Sequence, residues 1–258
     1  MKTILRLAFL CAVLPFAFSC TKDKSDESGG QNGTAAVRIN FVNMAGNDTL
    51  KFGTSYQTSL GEDITLQTFK YYISNISFRS ASANSDIAAP ETYHLVDQSN
   101  PSTYSFVLNM PAGELNQISF LLGVDSTKNV SGAQTGDLDP AKEMFWTWNS
   151  GYIMAKIEGT SSFSTEVQNA VTYHIGGFRT GENVTRRIVL NLTAGEQLNL
   201  VDNKTANIFI KADALKWFSG AHDLRIAEHP TVTTPGTLAT SIADNYANMF
   251  NISAVNNP

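Results

Sequence analysis

Short runs in which apolar and polar residues alternate, each closed by Gly, Asn, Asp or Pro, constrain this chain more than any other feature. In "AAVRINFVNM" (35–44), Val37, Ile39 and Phe41 alternate with Arg38 and Asn40, the period of two that turns one side of a strand towards a core. The longer run "ITLQTFKYYISNISFRS" changes phase along its length and so carries a bend or bulge. "TYSFVLNMPAG", "NQISFLLGVD", "GYIMAKIEG", "AVTYHIGGF", "TRRIVLNLTAG" and "TANIFIKADAL" are further strand-like pieces bounded by turn residues. Helical patterns are confined to "PAKEMFWTW", where Pro140 suits a first turn, and "ATSIADNYANMF" near the C-terminus. The expected fold is all-β: a β-sandwich or irregular barrel of eight to nine strands, with long loops and one or two short helices.

The N-terminus stands apart from that pattern. Residues 1–20 join a basic head, Lys2 and Arg6, to the apolar run "LAFLCAVLPFAF", which is too short for a membrane span and reads as a signal peptide. "AFSC" resembles a bacterial lipobox, which would leave Cys20 as the lipidated first residue of the mature protein. Residues 21–34, charged and then Gly-rich, lack the apolar surface to offset ordering and read as a flexible tether. A single domain of residues 35–258 follows. Its expected location is the cell envelope of a Gram-negative bacterium, on the outer membrane and held there by lipid.

Charge and cysteine content narrow the chemistry. Without Lys2 and Arg6 the mature chain has 16 basic against 23 acidic side chains, which argues against nucleic acid as a partner. Of the two cysteines, Cys11 leaves with the signal and Cys20 carries lipid, so the domain has neither a disulfide nor a thiolate ligand. A G-x-S-x-G elbow, a P-loop and a His-Glu-x-x-His pair are all missing, and no enzymatic activity is expected.

Three features remain for a site. The polar stretch "GVDSTKNVSGAQTGDLDP" holds Asp125, Asp137 and Asp139, which could converge on calcium or could serve as turn and cap residues. His94 in "TYHLVD" and His174 in "VTYHIGG" each follow a tyrosine in a strand-like run. With several methionines and no cysteine, they suit Cu(I) as well as a structural role. His222 and His229 lie in a polar segment and read as surface residues. Finally, "DPAKEMFWTWNSGYI" concentrates Met144, Phe145, Trp146, Trp148 and Tyr152 around an Asn-Ser-Gly turn; a buried aromatic cluster accounts for it on physical grounds alone.

The stretch "FLLGVDSTKNVSGAQTGDLDPAKEMFWTWNSGYIMAKIEG", followed by "YHIGGF" and later "IADNYANMF", resembles the MbnP-like family of copper-binding proteins. Lys142 and Glu143 stand before Met144 where a Gly-Met step would be expected. The resemblance implies an exported β-rich domain in which a tryptophan is oxidised to kynurenine and joins histidine in holding copper. It also implies a partner, a di-haem enzyme of the cytochrome c peroxidase type, as the oxidant. Carried over to this chain, Trp146 or Trp148 would be the modified ligand and His174 the first histidine, with His94 as a second on the strength of its similar context. A lipid-anchored module that binds glycan or protein through exposed aromatics is the competing expectation.

Overall fold

The computed structural model describes residues 33–258 except 91, 133, 147–150 and 194. Ten strands of five residues or more form two sheets: β1 (Thr34–Ala45), β2 (Asp63–Ser80), β3 (Tyr93–Asp97), β4 (Ser105–Pro111), β5 (Gly113–Leu122), β6 (Gly151–Thr160), β7 (Ala170–Gly176), β8 (Arg186–Asn191), β9 (Thr205–Asp213) and β10 (Phe250–Asn256). Two short α-helices, α1 (Ser126–Val130) and α2 (Thr237–Tyr246), complete the main elements.

The first sheet runs β10-β9-β1 with β4 on the far side of β1; β1 and β9 are parallel and the other pairs antiparallel. In the second, β6 pairs with residues 65–71 and β5 with residues 73–80 along one edge of the long β2, β3 pairs with residues 70–74 on its other edge, and β7 and β8 extend the sheet beyond β6 and β5. Residues Ala35, Val37, Ile39 and Phe41 of β1 are buried, as their alternation predicts. Phe41 meets Tyr71 of β2 at 5.9 Å and Phe120 of β5 at 6.2 Å, which joins the two sheets across one core. The all-β sandwich expected from the sequence is therefore the observed architecture.

The phase change in β2 is real. Its pairing with β5 slips between Ser74 and Ser77, where Asn75 takes a left-handed φ of 49°. Two expectations need correction. Over its described residues, 140–146, "PAKEMFWTW" is not a helix: a 3₁₀ turn, Pro140–Lys142, is capped by the Asp139 carboxylate on the Ala141 N–H. Glu143 then adopts φ 63° and the chain turns into the two-residue strand Phe145–Trp146, which pairs with Gly151 and Tyr152. The left-handed Glu143 stands where the missing glycine would have been free of strain. The second correction is β10, which follows α2 directly and pairs with β9; its sparse apolar pattern, with Ser253 at a register slip, hid it.

Candidate functional site

Four adjacent strands bring a row of charged residues onto the outer face of the second sheet. Asp97 of β3 pairs with Lys70 of β2, Lys70 with Lys156 of β6, and Lys156 with His174 of β7. Directly paired residues share a face, so all four project to the same side. The His174 Nε2 lies 2.7 Å from Glu158 Oε1, and the Lys156 Nζ lies 3.2 Å from that same oxygen. Thr68 Oγ1 donates to Glu158 Oε2 at 2.8 Å. The His174 hydrogen bond, then those of Thr68 and Lys156, holds the Glu158 carboxyl down at about 2 against the opposing effect of its burial. With Nε2 engaged, His174 Nδ1 has no hydrogen-bond partner among the described residues.

Trp146 reaches this face through two glycines. His174 and Gly176, two residues apart on β7, point the same way, roughly 7 Å from each other along the strand. A Cβ on Gly176 would sit 2.5 Å from Trp146 Cζ3 and 2.8 Å from the Tyr152 carbonyl oxygen, so the indole rests directly on the bare backbone. Gly177 is needed for another reason: its φ is 134° and a Cβ would strike the Glu182 carbonyl at 2.3 Å. The "HIGGF" stretch is thus a seat for an indole and a bend. Met144, two residues before Trp146, is fully buried. Trp148 and Cys20 lie outside the described residues.

The loop from Gly123 to Met144 roofs part of the same sheet. Tyr72 donates to the Asp137 carbonyl and Tyr152 to the Leu138 carbonyl, while buried Asn129 ties α1 to the Tyr152 N–H. Of the two readings open for the three aspartates, the structure shows turn and cap roles and no convergence. Asp125 caps α1 and accepts from Tyr93 and Asn75; Asp137 accepts from the Leu95 N–H; Asp139 caps the 3₁₀ turn. Each carboxylate is consumed by local backbone and side-chain donors, and among the described residues no three His, Cys, Asp or Glu side chains gather as a metal site.

The two histidines expected to act together are separated as well. His94 pairs with Ile73, three residues along β2 from Lys70, and therefore faces the sandwich interior while His174 faces outward. Three strand spacings, about 14 Å, also lie between β3 and β7. His94 packs against Phe106 at 3.6 Å between ring centroids, with Nδ1 at 3.4 Å from Asp137 Oδ2. Burial lowers its affinity for a proton and Asp137 partly restores it. It is a structural residue at the margin of the core. His222 is exposed and reaches Asp244 at 3.3 Å.

Residues that sequence reading missed complete the picture: Glu158, Lys156, Thr68 and Lys70 carry the electrostatics around His174. Their one visible signal was the pair of charges, Lys156 and Glu158, inside the otherwise apolar "GYIMAKIEG".

A family model described as MbnP matches residues 34–235, most of the chain. The chain belongs to the MbnP family. Among solved structures, MbnP from Methylosinus trichosporium superposes with a TM-score of 0.53 at 14% identity, covering 74% of this chain and 80% of that one. That likeness is one of fold. The search of curated proteins returned no match. The MbnP match takes in the roof loop, the Trp146 seat and His174, and ends just before α2.

Proposed function

We propose that this MbnP-family protein binds copper in the cell envelope, held to the membrane through lipid on Cys20, and is not an enzyme. The observation that carries the reading is the Trp146 indole seated on Gly176, on the face of β7 that presents His174. Glu158 occupies Nε2 and leaves Nδ1 as the open nitrogen, and its carboxylate offsets the Lys156 ammonium that would otherwise repel a cation. An indole offers a metal no good donor. Its kynurenine product offers an aromatic amine and a carbonyl, so oxidation of Trp146 or Trp148 by a di-haem partner of the cytochrome c peroxidase type would finish the donor set. Bound copper would supply a soft Lewis-acid centre suited to Cu(I); this chain's own residues orient the imidazole and exclude water with Phe145 and Tyr152. The competing reading, a glycan- or protein-binding module, needs exposed aromatics. Among the described residues Phe163 is the one aromatic side chain that is strongly exposed, so it gains no support.

The test uses mature protein from its native envelope. Intact mass should show one carbon lost and one oxygen gained, and competition titration should show one tightly held Cu(I). His174→Ala should weaken binding by more than the roughly 10–100-fold typical of losing an outer-sphere partner. His94→Ala should leave it within a fewfold. An unaltered mass without copper binding, or equal loss in both variants, overturns the reading.

A further inference from the structure

A separate hollow opens on the outer surface of the first sheet, where β1 and β9 end. Met44 of β1 pairs directly with Asp213 of β9, and Lys211, two residues before Asp213, pairs with Asn251 of β10. Paired residues and residues two apart share a face, so these four project together, away from the core between the sheets. The turn Gly46–Asn47, Asn248, and Lys216 of the 3₁₀ turn Ala214–Trp217 complete the walls. The space measures about 370 Å³, within the roughly 300–1,000 Å³ of small-molecule sites.

The hollow carries charges of both signs. Asp213 Oδ1 accepts the Gly46 N–H at 2.8 Å and the Leu215 N–H at 3.1 Å, which sets the carboxylate in one orientation. Its Oδ2 has no hydrogen-bond partner among the described residues. Lys211 and Lys216 line the same space, yet neither comes within 4.0 Å of a carboxylate among the described residues. A fixed anion and two cations that face one hollow without closing on each other leave room for a ligand that bears one charge of each sign. The buried part of the lining is apolar: Met44 is 6% exposed, and Met249 is held by the Trp217 indole N–H, which donates to its sulfur at 3.3 Å.

We infer that this hollow is a binding site for a small zwitterion, an α-amino acid with an apolar side chain. The ligand's ammonium meets Asp213 Oδ2, its carboxylate meets Lys211 and Lys216, and its side chain lies on Met44 and Met249. A ligand with a single charge answers only half of this arrangement. The hollow lies on the first sheet and the copper face on the second, so the inference does not rest on the copper reading.

The experiment is a titration of the ¹⁵N-labelled full chain, followed by amide shifts, with L-leucine and with its two single-charge analogues. These are 4-methylpentanoate, which lacks the ammonium, and 3-methylbutylamine, which lacks the carboxylate. The expected result with leucine is saturable shifts at Gly46, Asn47, Lys211 and Asn248–Asn251 with a dissociation constant on the order of 1 mM. Each analogue should bind roughly tenfold more weakly or not at all. Asp213→Asn keeps an Oδ1 for the Gly46 and Leu215 N–H groups and removes the charge, so it should abolish leucine's advantage over 4-methylpentanoate. Lys211→Met combined with Lys216→Met should abolish its advantage over 3-methylbutylamine. Equal binding of leucine and either analogue, absence of saturation up to tens of millimolar, or an unchanged advantage in a folded Asp213→Asn protein overturns the inference. The comparison of the three ligands on the unaltered protein decides it even where a variant fails to fold.

Discussion

Replacing Gly176 by alanine is expected to lower stability by about 2–4 kcal/mol, because the added methyl has nowhere to go. It would lie 2.5 Å from one indole carbon, 2.8 Å from a second and 2.8 Å from the Tyr152 carbonyl oxygen. Neither neighbour gives easily: the carbonyl belongs to the adjoining strand and Trp146 is 6% exposed, packed among the core residues. For a domain of this size each kcal/mol moves the midpoint by roughly 2–4 °C, so thermal unfolding should shift down by about 5–15 °C. Gly53→Ala is the control. Gly53 also resists substitution, with φ 78°, but a Cβ there meets nothing within 4 Å, and the cost should stay near 1 kcal/mol. Equal small losses at both glycines would show that the indole is not held against Gly176. The variant also bears on the proposed function: on the copper reading, with the indole displaced from the His174 face, the mass change and copper capture should both fail even where the protein remains folded.

How far this site was legible follows from the two Tyr-His pairs. In "VTYHIGG", Val171, Tyr173 and Ile175 alternate cleanly, so His174 must face away from the core, and it does. In "TYHLVD" the apolar pair Leu95-Val96 is adjacent, leaving the phase open; the structure puts His94 inward and Tyr93 outward. The same dipeptide thus enters the sheet with opposite phase, and similarity of local context was a poor guide to a shared site. Register is the deeper limit. Lys70, Lys156 and His174 become neighbours because three distant strands align at one level, and nothing in any one strand specifies the alignment of the others. Local signals fared better. The alternation of β1, the bulge in β2 and the helical period of α2 depend on neighbours in sequence, and each is present. The helix expected after Pro140 failed because the Asp139 cap and left-handed Glu143 close the turn after three residues, a backbone choice that Lys-Glu does not announce.

The largest electrostatic effect should come from Glu158→Gln, which keeps the shape of the side chain and removes its charge. Lys156 is the residue that suffers. Its side chain is 8% exposed, Glu158 is its carboxylate partner at 3.2 Å, and the remaining acceptor is the Glu143 carbonyl at 3.5 Å. An ammonium left in that position without a counter-charge costs about 2–4 kcal/mol at neutral pH. The pH dependence distinguishes this account from simple loss of a hydrogen bond. Folding lowers the Glu158 carboxyl from 4.5 to about 2, so the carboxylate's contribution is fully present above the unfolded value and disappears as the pH falls towards 2. Complete burial would make that contribution about 3 kcal/mol. The side chain is 35% exposed, and screening by solvent reduces the pH-dependent part to about 1 kcal/mol. Urea unfolding at pH 7, 5, 4 and 3 should therefore show the gap between native protein and Glu158→Gln narrowing through the acid range. Lys156→Met combined with Glu158→Gln should recover much of the loss, since an apolar pair replaces an orphaned charge. A gap that stays constant from pH 7 to pH 3, or a double variant no more stable than Glu158→Gln alone, would show that Glu158 acts through packing and that the Lys156–Glu158–His174 chain is not what holds this face together.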